Sequence, residues 1–268
     1  MLHIFISTLA ISSAAPGSPS TTLPTLFEST GSVRTLMLLD DETQDDNSVS
    51  NDSIGTDLDE FFFSGHSIRF DVGGTFAFDS DIQGDPSSGN SFASGTITFD
   101  TGVDFLFTWG IPLSEELSLE LSTGFAYNSV KTLEGTWNGG QGNVNGVPLL
   151  IGMGYAIEVT DQLTVNMNVG VGAQFSYADI TDITSAGAAG TTASINANAI
   201  SFRYQIGATV DWDFTHDIGI GAYVRYAGTT ENDFGTPDFT GPNPSKTSRF
   251  RLNDLSSVAV GLSAYINF

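Results

Sequence analysis

The chain has 268 residues, no cysteine, and a net charge of −23 from 31 acidic and 8 basic residues. That length holds one large β domain or two small ones; the missing thiols exclude a disulfide framework and thiolate metal sites, and the acidity excludes a nucleic-acid partner, which needs clustered Lys and Arg. No apolar run reaches the roughly 18 residues of a membrane helix, but a membrane β-strand needs only about 9–11 alternating residues and stays open.

Residues 1–15 carry a short apolar stretch, Ile4 to Ile11, followed by small residues, with Ser12 and Ala14 placed as in a cleavage site. They read as a secretory signal, although the leading region holds His3 and no Lys or Arg. Residues 16–60 open with Pro16, Pro19 and Pro24 and turn acidic in LLDDETQDDNSVSNDSIGTDLDE. Such a stretch buries too little apolar area to offset chain ordering, so it is expected to be a disordered linker. Residues 61–268 are expected to fold. They hold 21 acids against 7 bases and are acidic in their own right.

From His66 onward the chain alternates between apolar and polar or small residues in eight segments. The first, HSIRFDVGGTFAFD, puts Ile68, Phe70, Val72, Phe76 and Phe78 on one face. The second, SGTITFDTGVDFLFTWG, groups Ile97, Phe99, Val103, Phe105, Phe107 and Trp109. The third carries Leu117, Leu119, Leu121, Phe125 and Tyr127, and the fourth Val147, Leu149, Ile151, Met153, Tyr155 and Ile157. The fifth groups Leu163, Val165, Met167, Val169, Val171, Phe175 and Tyr177, and the sixth Ile200, Phe202, Tyr204, Ile206, Val210, Trp212 and Phe214. Ile218, Ile220, Ala222, Val224 and Tyr226 form the seventh, and the eighth runs from near Phe250 to Phe268. Connections after the even segments are short (IPLSEE, TDQ, THD), and those after the odd segments are long. The long ones are expected as loops at residues 80–93, 131–144, 179–197 and 228–247. Tight turns on one side and long loops on the other mark a transmembrane barrel with an even strand number.

The opposite parity is polar or small: Arg69, Asp71, Thr98, Asp100, Asp104, Glu120, Asn166, Asn168, Arg203, Asp211 and Arg225, with many glycines. A soluble sandwich would turn these residues to water, and a membrane barrel would turn them to its lumen. Aromatics near the segment ends, glycines on the polar face and the scarcity of Lys and Glu on the strands favour the barrel.

GVPLLIGMGYAIEVTDQLTVNMNVGVGAQFSY and AISFRYQIGATVDWDFTHDIGIGAYVRY resemble the strand-turn-strand units of small eight-stranded outer-membrane β-barrels, of the opacity-protein and OmpA-transmembrane-domain type. The resemblance covers about residues 66–268. It implies an all-β, antiparallel, up-and-down barrel in the outer membrane, with short periplasmic turns and long extracellular loops. The closing YINF is similar to that family's assembly signal, which implies that Tyr265 and Phe268 are read by the barrel-assembly machinery. With nothing after Phe268, the peptidoglycan-binding domain that follows some such barrels is not expected.

Eight strands leave an interior that side chains roughly fill, so charges there should pair. If the first long loop is symmetric about residues 86–87, Arg69 lies opposite Asp104. Arg69, Asp71, Asp104 and Glu120 are therefore the candidate lumen ion pairs, as a plug or as a gate. Asp79, Asp81, Gln83 and Gly84 imitate a calcium loop, but its twelfth position is Asn90 and lacks the bidentate carboxylate, so no metal and no cofactor is expected. The barrel histidines, His66 and His216, both fall at the short-turn side, away from the outer rim where a lipid-modifying site would lie. Lys246, Arg249 and Arg251 form the one basic cluster, suited to lipopolysaccharide phosphates or to offsetting acidic loops. The leading expectation is a monomeric, non-enzymatic outer-membrane barrel with a surface or envelope-structural role, in contact with outer-membrane lipid. A small ion or solute channel is the alternative, and an adhesin or ligand-binding barrel acting through its long loops is the third reading.

Overall fold

The computed structural model describes residues 65–83, 95–185, 190–215, 217–241 and 249–268, all within the compact unit Ser50–Phe268. The expected signal segment and acidic linker lie outside the described residues, as do Gly84, Asn90, His216 and Lys246. The strands are β1 (Ser67–Ala77), β2 (Ser80–Gln83), β3 (Gly95–Phe99), β4 (Gly102–Pro112), β5 (Leu117–Gly135), β6 (Trp137–Thr160) and β7 (Leu163–Ser185). They continue with β8 (Thr192–Asp213), β9 (Ile218–Thr229), β10 (Asn232–Asp233), β11 (Asp238–Thr240), β12 (Arg251–Leu252) and β13 (Ser256–Asn267).

Eight of these close a ring in which β1, β4, β5, β6, β7, β8, β9 and β13 each run antiparallel to the next, and β13 returns to β1. A closed ring leaves no unpaired edge in the wall. The strands are staggered. A path across the pairs from Ser67 runs through Gly110, Glu120, Gly152, Gly170, Gln205, Ala227 and Ser257, and comes back to β1 at Ala77, ten residues further on. That stagger tilts the strands and decides which side chains face each other across the lumen.

The alternation in the sequence becomes two faces. Val72, Leu149, Ile151, Val169, Ile206, Val210 and Leu262 are exposed on the outside, while Asp71, Asp104, Gln205, Asp211 and Arg225 are buried inside. The outer face is an apolar belt, edged at the short-turn end by Trp109, Tyr155 and Trp212 and at the other end by Tyr204 and Tyr226. Water does not stabilise such an exterior, and lipid does.

Beyond the belt the sequence expectation and the structure part. Residues 131–144 and 179–197, expected as loops, are largely strand. β5 and β6 continue to a tight connection at Thr136, and β7 and β8 continue to Ser185 and from Thr192. β2, β3, β10, β11 and β12 pair alongside these extensions. The result is a folded head around its own core of Ile82, Ile97, Leu133, Ile180, Phe250 and Leu252. Ile97 was expected on the outer face with Val103, but it is fully buried inside. The phase changes between Phe99, which packs on the same core, and Val103, where Asp100 and Thr101 break β3 from β4. Register shifts at Thr98/Phe99 and between Ile180 and Ile183 do the same on β5 and β7, because one extra residue moves every later side chain to the other face. Gly142 shows why glycines gather here. Its φ is 149°, and an added Cβ would meet the Asp179 carbonyl oxygen of the neighbouring strand.

Candidate functional site in the lumen

The inward faces of β1, β4, β8, β9 and β13 bring charges together in layers. At the short-turn end is an open cavity of about 710 Å³, lined by Ser67, Arg69, Glu116, Glu158, Asp161 and Asp213 among others. Arg69 Nη2 roofs it with a 2.7 Å bond to Asp211 Oδ2. Asp211 also accepts from Asn166 Nδ2 and, at 3.3 Å, from Ser263 Oγ. The Arg69 guanidinium lies 5.7 Å from the centre of the Tyr265 ring.

The next layer is built on Arg225. Its Nη1 donates to Asp71 Oδ2 at 2.9 Å, and its Nη2 donates to Asp104. Its guanidinium sits 4.8 Å from the Tyr223 ring centre, a cation–π contact in a water-poor setting. Tyr223 Oη donates to Asp104 Oδ1 at 3.4 Å. Gly73 makes room for that tyrosine, since a Cβ there would come within 2.7 Å of Tyr223 Oη. Above this layer Arg203, only 5% exposed, donates to Gln174 Oε1. Gln174 Nε2 donates to Ser176 Oγ, which bonds Asn232 Oδ1 at 3.1 Å in the connection after β9. Over these polar layers lies the apolar head.

The four lumen residues picked from sequence all face the interior, but not as one cluster. Arg69 stands opposite Thr108, and Asp104 stands opposite Gly73. The symmetric-loop assumption that set Arg69 against Asp104 is therefore corrected by four residues. Arg69 pairs with Asp211, while Asp71 and Asp104 share Arg225. Glu120 feels the charge of Arg69 but makes no ion pair within 4.0 Å among the described residues. Arg225, Asp211 and Arg203 were legible as inward residues; assigning partners to them required the stagger.

At the outer end, Arg249 Nη2 lies 2.8 Å from Asp233 Oδ2. Arg251 Nε lies 3.3 Å from the same oxygen and 3.7 Å from Glu231 Oε1, without hydrogen-bond alignment. Partial burial works against the Asp233 charge, but the Gly235 amide and the two guanidiniums outweigh it and hold the carboxyl below its usual range. Tyr265 points into the lumen and is buried, whereas Phe268 is 60% exposed. At the short-turn rim Trp109 Nε1 donates to His66 Nδ1 at 3.1 Å. Among the described residues no group of three or more His, Cys, Asp or Glu could hold a metal ion.

No family model matches the chain, and no curated protein matches it in sequence. Solved structures do. The outer membrane protein OprG from Pseudomonas aeruginosa aligns with 14% identity over 77% of this chain and 98% of its own, at a TM-score of 0.50. Neisserial surface protein A aligns with 12% identity over 76% of this chain and 98% of its own, at a TM-score of 0.37. The chain has the fold of the small outer-membrane β-barrels. The OprG alignment carries that assignment. The apolar belt on a closed wall gives it a physical reason, because it makes the molecule an outer-membrane barrel that spans with strands.

Proposed function

We propose that this outer-membrane barrel has a surface or envelope-structural role, without catalysis and without a conducting lumen. One observation carries the reading: the lumen is filled twice over. Arg225 with Asp71 and Asp104 occupies its middle, and the apolar side chains of the head fill its outer end. A solute would have to break a buried ion-pair layer and then part a packed core, each a costly step. The non-catalytic part is supported by His66. Its Nδ1 is taken by Trp109, and it is not paired with a carboxylate within 4.0 Å among the described residues. Lipid and lipopolysaccharide are the partners that the belt and the Arg249–Arg251 rim fit, and the assembly machinery engages β13 through Tyr265 and Phe268. The barrel acts as a monomer. In planar bilayers the purified protein should give no step above the lipid baseline. Reproducible single-channel openings would remove the sealed-lumen reading in favour of a small channel.

A further inference from the structure

Between the Arg225 layer and the head lies an interior cavity of about 30 Å³, lined by Asn128, Gln174, Arg203, Thr229 and Ser257 among others. Three lining residues leave a buried polar atom with no hydrogen-bond partner: the donor Arg203 Nε and the acceptors Asn128 Oδ1 and Asn145 Oδ1. A fourth has a proton to give. Thr229 Oγ1 accepts from Asn232 Nδ2 at 2.8 Å and from the Leu255 amide at 3.2 Å, so its own O–H needs an acceptor. An unpaired buried donor or acceptor is costly, and a cavity of this size has room for one water.

We infer that this cavity is a binding site for a single ordered water. The water accepts from Arg203 Nε–H and Thr229 Oγ–H and donates to Asn128 Oδ1. It thereby joins β5, β8 and the end of β9 across the lumen. Charge decides against an ion. Asp71 and Asp104 share one cation, Arg225, which leaves that layer with an excess negative charge beside Arg203. Arg203 has no carboxylate within 4.0 Å among the described residues, but it feels the field of Asp104. The two layers together are neutral. A halide would make them negative and would face the Asn128 carbonyl oxygen; a cation would face the guanidinium. Water alone can accept from both donors and donate to these amide oxygens without adding charge.

The test is crystallographic and uses the whole refolded protein, crystallised from a bromide salt and measured at the bromine absorption edge. The expected result is one peak in ordinary density within hydrogen-bond distance of Arg203 Nε and Asn128 Oδ1, with no anomalous signal. An anomalous peak there makes the ligand an anion, and flat density makes the cavity a dry void. Either result overturns the inference. Asn128→Leu should abolish the peak, because it fills the space and removes the acceptor. A peak unchanged in that variant would also overturn the assignment.

Discussion

Arg225 and Arg69 are both lumen arginines on carboxylates, yet their surroundings give them different weight. Arg225 is 4% exposed and is the partner of two carboxylates that are themselves buried. Arg225→Ala therefore strands Asp71 and Asp104 together and should cost about 3–5 kcal/mol, the usual penalty for breaking a buried pair from one side. Arg69 is 17% exposed and roofs an open, wettable cavity, and its partner Asp211 keeps bonds from Asn166 and Ser263. Arg69→Ala should cost less, about 1–3 kcal/mol. Urea unfolding of the two variants in lipid vesicles measures the difference, and equal losses would contradict this layering. The inward direction of every one of these side chains was legible from parity alone. Their partners were not, because a pairing across the lumen depends on the stagger of eight strands, and no local pattern records it.

For the strand elements the sequence carried most where lipid imposed a rule. Inside the membrane each strand must show apolar atoms outward, so period-two patterning is enforced and β4 to β9 could be phased from it. Above the belt that rule lapses. Stretches such as NGGQGNV and TASINA carry few large apolar residues and read as loops, although their backbones continue the ladders of β6 and β8. Parity then inverts at the break between β3 and β4 and at the register shift in β7, and Ile97 and Ile183 go inside. Within the belt the phasing makes a sharp claim about β7. Val169 is 53% exposed and faces lipid, while Asn168 beside it faces the lumen. Val169→Arg should cost about 2–4 kcal/mol in vesicle refolding, as a charge near mid-membrane does. Asn168→Arg enters a lumen rich in carboxylates and should be penalised by crowding more than by charge. A cysteine carrying a fluorophore at residue 169 should be quenched by bilayer-confined quenchers, and one at residue 168 should not. Quenching at neither position would remove the lipid-facing assignment on which the fold reading rests.

For the whole molecule the critical place is the seam where β13 meets β1. The ring closes through the Ser67–Asn267 to Ala77–Ser257 ladder, and two further bonds extend it: the Phe268 amide donates to the His66 carbonyl at 2.8 Å, and the Gly65 amide donates to the Phe268 carbonyl at 2.5 Å. Those bonds are made by backbone, so they survive replacement of the Phe268 side chain. That side chain is 60% exposed at the edge of the belt, and little of its burial energy is realised in the finished barrel. Its intrinsic contribution to stability should therefore be small, on the order of 1 kcal/mol. Assembly in the cell is a different matter if the insertion machinery grips β13 through Tyr265 and Phe268 before the seam forms. Phe268→Ala should then refold in detergent as well as the parent chain but yield a much smaller folded fraction in cell membranes. Heat-modifiability on cold gels scores both fractions. A folded fraction in cells equal to the parent's would make Phe268 an interfacial aromatic and nothing more. A matching loss in detergent would mean that the side chain holds the seam itself.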